Sequence, residues 1–213
     1  MKKLLALTLA VIMALSLVSC DFAASNEDEQ PDDSKKVTEL SRGTIKGDVY
    51  TSEYLGISFT KPESWVYSTD EEIAAMVNLG VDMLLGENFK TALENNAAIY
   101  DMMVTDIITR SNINVGFENL SKTFSTNITV EQYVQALKTQ FANVSGMTVT
   151  FPETYETVKL GETEFTKVVC TTTIQGISME QVYYLKKADK FMCFIIVTIT
   201  SGYTAEQIEA MFQ

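Results

Sequence analysis

The 213-residue chain carries 28 acidic against 16 basic side chains, a formal net charge of −12, and no histidine. Charge of that sign repels phosphate backbones and argues against nucleic acid as a partner. The missing imidazole removes Ser-His-acid and Cys-His nucleophilic machinery, together with the commonest zinc ligand.

Met1 to Ser19 read as a secretory signal. Lys2 and Lys3 form a positive start, Leu4 to Met13 an apolar run, and small residues follow near Ser19. The stretch barely reaches the roughly 20 apolar residues that span a bilayer core, so a single-pass anchor is the weaker alternative. Leu17, Val18, Ser19 and Cys20 resemble the bacterial lipobox, whose cysteine is thioether-linked to diacylglycerol before the signal is cut off ahead of it. The resemblance implies cleavage between Ser19 and Cys20, and lipid on Cys20. Acyl chains contribute roughly 0.8 kcal/mol per buried methylene, and two of them give the stable attachment that one does not. Losing Lys2 and Lys3 makes the mature chain two charges more negative. The lipid, not a basic patch, then holds the protein to the extracytoplasmic face of a bacterial membrane.

Residues 20–42 follow as the lipidated cysteine and a flexible acidic linker, rich in Asp, Glu, Ser, Asn and Gln and too poor in apolar groups to order itself. Its carboxylates read as a solvated run rather than a metal site. Residues 43–213 read as a single globular domain.

In "GDVYTSEYLGISFTKPESWVY" the alternation through Ile57 and Phe59, the break at Pro62 and Ser64, and its resumption from Trp65 to Tyr67 predict two short strands. The period then becomes helical, with Ile73, Met76, Val77 and Leu84 on one stripe. Thr69 and Glu72 have capping-box spacing, and Asp70, Glu71 and Glu72 suit a first helical turn, which explains the acidic trio without a catalytic role. Gly80 and Gly86 break this region, and Phe89, Leu93 and Ala97 continue it. "IYDMMVTDIITRSNINVGFENL" predicts two strands about a turn at Thr109 to Asn112, with Asp101 and Asp106 on opposite faces and unable to chelate together. Thr129 to Val144 reads as a helix with a second capping box at Thr129 and Gln132. Four strand-like runs follow, with turns near Gly161, Gln175–Gly176 and Ala188–Lys190, and a last capped helix spans Thr204 to Phe212.

Phe191 to Ile199 is apolar on both sides, so both faces of the sheet centre must be covered. The pattern predicts an α+β fold, an α/β/α sandwich on a mainly antiparallel sheet. The order of elements, with "YTSEYLGISFTKPESWVY", "YDMMVTDI" through "NINVGFENL", and the final "FIIVTITSG" strand before a short helix, resembles the Mog1/PsbP-like fold of small lipoproteins from gut Firmicutes. The resemblance covers about Gly47 to Gln213. It implies a non-enzymatic accessory or assembly factor, or a module that binds a protein partner.

No Gly-rich phosphate loop or dinucleotide fingerprint follows a strand, so no cofactor, metal or catalytic residue is assigned. A tight turn at Gln175–Gly176 sets Cys170 opposite Gln181, and one at Ala188–Asp189 sets Cys193 opposite Tyr184. The two thiols then face opposite sides of the sheet and stay free. Trp65, Tyr54 and Tyr67 are the candidate binding surface, since aromatics are enriched at binding hot spots, although Trp65 better suits a core position. The sequence thus describes a lipid-anchored extracytoplasmic module that binds a protein complex or surface polymer. A small envelope hydrolase using carboxylates or a Ser-Lys pair is the alternative.

Overall fold

The computed structural model describes residues 39–213. The expected signal, Ser19, Cys20 and residues 21–38 of the expected linker lie outside that range. The described chain begins at Glu39 and is already anchored at Arg42, whose guanidinium is 2.6 Å from Asp70.

Eleven strands form two sheets among the described residues, and every pairing between them is antiparallel. The smaller sheet holds β1 (Thr44–Lys46), β2 (Val49–Ser52) and β3 (Ile57–Thr60) in sequence order. The larger contains β4 (Trp65–Tyr67), β5 (Ala98–Asp106), β6 (Asn112–Asn119), β7 (Met147–Thr150), β8 (Glu156–Leu160), β9 (Thr163–Ile174), β10 (Ile177–Ala188) and β11 (Phe191–Ile199). Its order is β4-β5-β6-β11-β10-β9-β7, with β8 also pairing β9. The helices are α1 (Asp70–Met76), α2 (Asn88–Asn95), α3 (Leu120–Thr123), α4 (Val130–Ala142) and α5 (Ala205–Glu209), with a 3-10 turn at Val81–Leu84 between α1 and α2. No helix among them is long and apolar enough to cross a membrane.

The expected sandwich is present. β11 lies between β6 and β10 and is buried at every residue. Side-chain alternation along the ladders defines two faces. On the first lie Tyr100, Gly116, Glu118, Phe194, Tyr183, Gln181 and Cys170, beneath the stripe Tyr133, Val134, Leu137 and Phe141 of α4. On the second lie Phe117, Cys193, Tyr184, Val182 and Lys167. Tyr54 and Phe89 pack edge-on against Phe117, which places the loop after β2 and helix α2 on this side, alongside α5. The smaller sheet shares this cover, which the sequence pattern presented as helical. Its strands are only three or four residues long, and the turns joining them use the left-handed backbone of Gly47 (φ 61°) and Gly56 (φ 63°).

All three capping boxes form, at Thr69/Glu72, Thr129/Gln132 and Thr204/Gln207, and they start α1, α4 and α5. The expected turn at Gln175–Gly176 pairs Cys170 with Gln181. The next turn is centred one residue later than expected, on Asp189 and Lys190, so Cys193 pairs with Lys186 instead of Tyr184. The displacement is an even number of residues, the two thiols still face opposite sides, and both are free and buried.

Candidate functional site

The aromatic residues singled out in the sequence do not form one surface. Trp65 is 0% exposed, packed edge-on against Phe59 and Tyr203, and its indole N–H donates to the Tyr203 hydroxyl at 2.9 Å. It is a core residue, because β4 turns it onto the second face where the smaller sheet closes over it. Tyr54 is half-buried on Phe117, and burial, chiefly, pushes its hydroxyl up to about 12. Tyr67, at the end of β4, donates to the Asp48 carbonyl at 3.1 Å.

The open concavity lies instead on the second face, at one end of the sheet. Three rungs of paired residues lead to it: Lys167 beside Tyr184, Val169 beside Val182 and Val197, and Thr171 beside Glu180 and Ile199. α5 covers the first rung. Glu209 Oε1 sits 2.7 Å from the Lys167 ammonium and accepts from the Tyr184 hydroxyl at 2.8 Å. Beside the next two rungs α5 contributes only Ala205 and Glu206 to the edge of the space; Val169 is 37% exposed, and Thr171 and Glu180 face solvent. The chain from Thr200 to Glu206 walls the space, leaving a groove of about 540 Å³. Tyr203 stands in that wall, held from behind by Trp65.

The charge of the groove follows from its neighbours. Burial pulls the Lys167 ammonium down, but the hydrogen bond and charge of Glu209, then Glu206 and Glu156, more than restore it, so its affinity for a proton is raised. Burial raises the Tyr184 hydroxyl far above its ordinary range, reinforced by Glu209, Glu206 and Glu180. Glu206 is held below the usual carboxylate range by its own backbone N–H and the Thr204 hydroxyl at the start of α5. Among the described residues Lys167 is the only basic side chain lining the groove, and it is already paired. A second, shallower hollow of about 440 Å³ lies between α4 and β7, lined by Lys138, Phe141, Met147, Val149 and Phe151.

Three acids, Asp101, Asp106 and Glu118, are buried, which their sequence context did not signal. Asp101 is the extra residue of a bulge in β5, where Tyr100 pairs Gly116 and Met102 pairs Val115. Its carboxylate accepts from the Tyr50 hydroxyl at 2.6 Å and from the Gly43 N–H at 2.9 Å, with Arg42 Nε 3.7 Å away. Burial pushes it up to about 6, against the lowering by these three partners. Asp106 is engaged separately by Thr109 and Ile108, so the two aspartates do not meet. Glu118, on β6, accepts from the Tyr133 hydroxyl through Oε2, while its buried Oε1 has no partner. The nearby Thr123 hydroxyl donates to the Asn119 carbonyl instead. Burial pushes Glu118 up to about 7. Among the described residues no group of three or more Asp, Glu, Cys or His is placed to hold a metal ion.

The chain is therefore an α+β protein built on a mainly antiparallel sheet, covered on both faces and open at one end of the second. No protein-family model matches it, and no curated protein does. Among solved structures it is similar to the solution structure of cyanobacterial PsbP (CyanoP) from Synechocystis sp. PCC 6803, at 9% identity and a TM-score of 0.45, covering 84% of this chain and 96% of that one. It is also similar to a crystal structure from Bacteroides thetaiotaomicron VPI-5482, at 13% identity and a TM-score of 0.40, covering 79% of this chain. The chain spans 48% of that protein's length. Neither likeness assigns a residue, and the architecture rests on the strand pairings themselves.

Proposed function

We propose that this is a bacterial lipoprotein, anchored outside the cytoplasmic membrane through lipid on Cys20, whose domain is a non-catalytic binding or accessory module for a protein complex or surface polymer. The groove at the end of the second face carries the reading. It exposes apolar and hydroxyl-bearing side chains in one concavity, and its single lysine is held charged by Glu209, which suits recognition. A Ser-Lys nucleophile needs a neutral lysine as its base, and the surroundings of Lys167 oppose that state.

Two measurements test the two halves. Cys20→Ala should leave the precursor unprocessed and without lipid; a variant processed and membrane-bound as before removes the anchor. A photo-crosslinking residue at position 169 or 200, in the lipidated chain within its own envelope, should yield a discrete adduct. The same residue at exposed Thr139 on α4 should not. Equal adducts from both positions would remove the groove as the binding surface.

A further inference from the structure

We propose that the groove receives a lysine- or arginine-bearing segment of a partner protein, its alkyl stem lying on Val169 and its cationic head held by Glu180 and Glu206. The proposal rests on the groove being the binding surface and adds the chemistry of what it binds.

The charge balance of the site argues first. Four carboxylates act on the two polar groups of the first rung. Glu209, Glu206 and Glu156 bear on Lys167, while Glu180 joins the first two in bearing on Tyr184. A single ammonium answers them, and it is committed to Glu209. Glu180 and Glu206 both line the groove, both are solvent-facing, and neither has an ion-pair partner among the described residues. The space lacks a second cation.

The walls specify which kind. The acidic groups are not gathered tightly enough to hold a metal ion, so the cation they suit brings its own length. Lys and Arg lay their methylene stems along apolar surface while the charge stays at the wet end, and exposed Val169, one rung from Glu180 on the same face, offers such a surface. Lys167 itself shows the geometry one rung away, with its stem buried on the same face and its ammonium 2.7 Å from a carboxylate. Tyr203, fixed by the Trp65 N–H, presents an aromatic ring in the same wall, where a cation gains further attraction from the ring face. Thr171, Ser178 and Ser201 supply hydroxyls that can serve the backbone of a bound segment. The net negative charge of the chain steers a basic segment toward the protein from a distance.

The test uses the full lipidated chain in nanodiscs of neutral lipid and a fluorescent hexapeptide, Gly-Lys-Gly-Lys-Gly-Tyr, against the same peptide with both lysines acetylated. The lysine peptide should bind and the acetylated one should not. Glu180→Gln with Glu206→Gln should weaken binding about fivefold, as expected for two partly exposed charge pairs. Glu131→Gln with Glu153→Gln removes the same charge elsewhere and should leave affinity nearly unchanged. The proposal is overturned if the acetylated peptide binds equally, if the remote pair weakens binding as much, or if spermidine competes as tightly as the peptide, which would make this a polyamine site. Failure here with groove crosslinks still present overturns only the cationic segment. Absence of the crosslinks removes the binding surface itself.

Discussion

Glu118→Gln isolates the cost of one buried charge. Glu118 lies on β6 between Ala98 of β5 and Met192 of β11, roofed by Tyr133 from α4, with one oxygen bonded and one unpartnered. The folded protein holds this proton more tightly than the unfolded chain does, with the pKa raised from 4.5 to about 7 by burial. The resulting stabilisation is fully present below pH 4.5 and is lost as pH rises through about 7. At 1.36 kcal/mol for each pKa unit, the loss is about 3 kcal/mol. Gln has the shape of the protonated acid, accepts the same Tyr133 hydrogen bond, and does not titrate. Urea unfolding of both proteins from pH 4.5 to 8 should give nearly equal stabilities at the acidic end and a variant about 3 kcal/mol more stable at pH 8. Other titrating groups cancel in the difference. A gap that stays constant with pH would refute the burial argument.

Arg42→Ala should destabilise the fold by about 3 kcal/mol at pH 8, because it leaves the buried Asp101 carboxylate without its cation. The loss should shrink at pH 5, below the Asp101 value of about 6, and unfolding at both pH values checks it. Gly116→Ala should cost about 1–3 kcal/mol in the same assay. A methyl there meets the Phe194 ring at 2.5 Å and the Ile99 carbonyl oxygen at 2.7 Å, where Tyr100 and Phe194 already pack across the glycine. Alkylation without reductant should label Cys170 and Cys193 in denatured protein and neither in native protein, since burial pushes both thiols up to about 12. A linked pair recovered by mass spectrometry would contradict the sheet register.

What the sequence revealed about the fold was local. Capping boxes are decided within four residues, the burial of β11 by its own composition, and the opposite facing of the cysteines by parity, which survived a misplaced turn. β1, β2 and β7 escaped because β1 is exposed throughout and β2 and β7, though they alternate, are only four residues long. Trp65 was ambiguous because its burial depends on Tyr203, 138 residues away. Glu118 looked ordinary in "NVGFENL" because Tyr133 closes over it from a different element.

The groove was invisible for the same reason. It lies where the link from β11 into the start of α5, Thr200 to Glu206, stands over β9 and β10; α5 itself ends at Glu209, short of the expected Phe212, and Phe212 bridges to Phe59 while Gln213 pairs with Ser58. Its acid partner for Lys167 is likewise supplied from Glu209, far along the chain.

The most direct test of the account is a single substitution in that groove. Thr171→Arg places a guanidinium beside Glu180, its neighbour across the β9–β10 ladder, and fills the space from within. Affinity purification of the crosslinked, lipidated protein from its native envelope should recover the groove adduct from the wild type and lose it from the variant. Membrane retention and thermal stability should be unchanged. Equal recovery of the adduct from both would contradict the account.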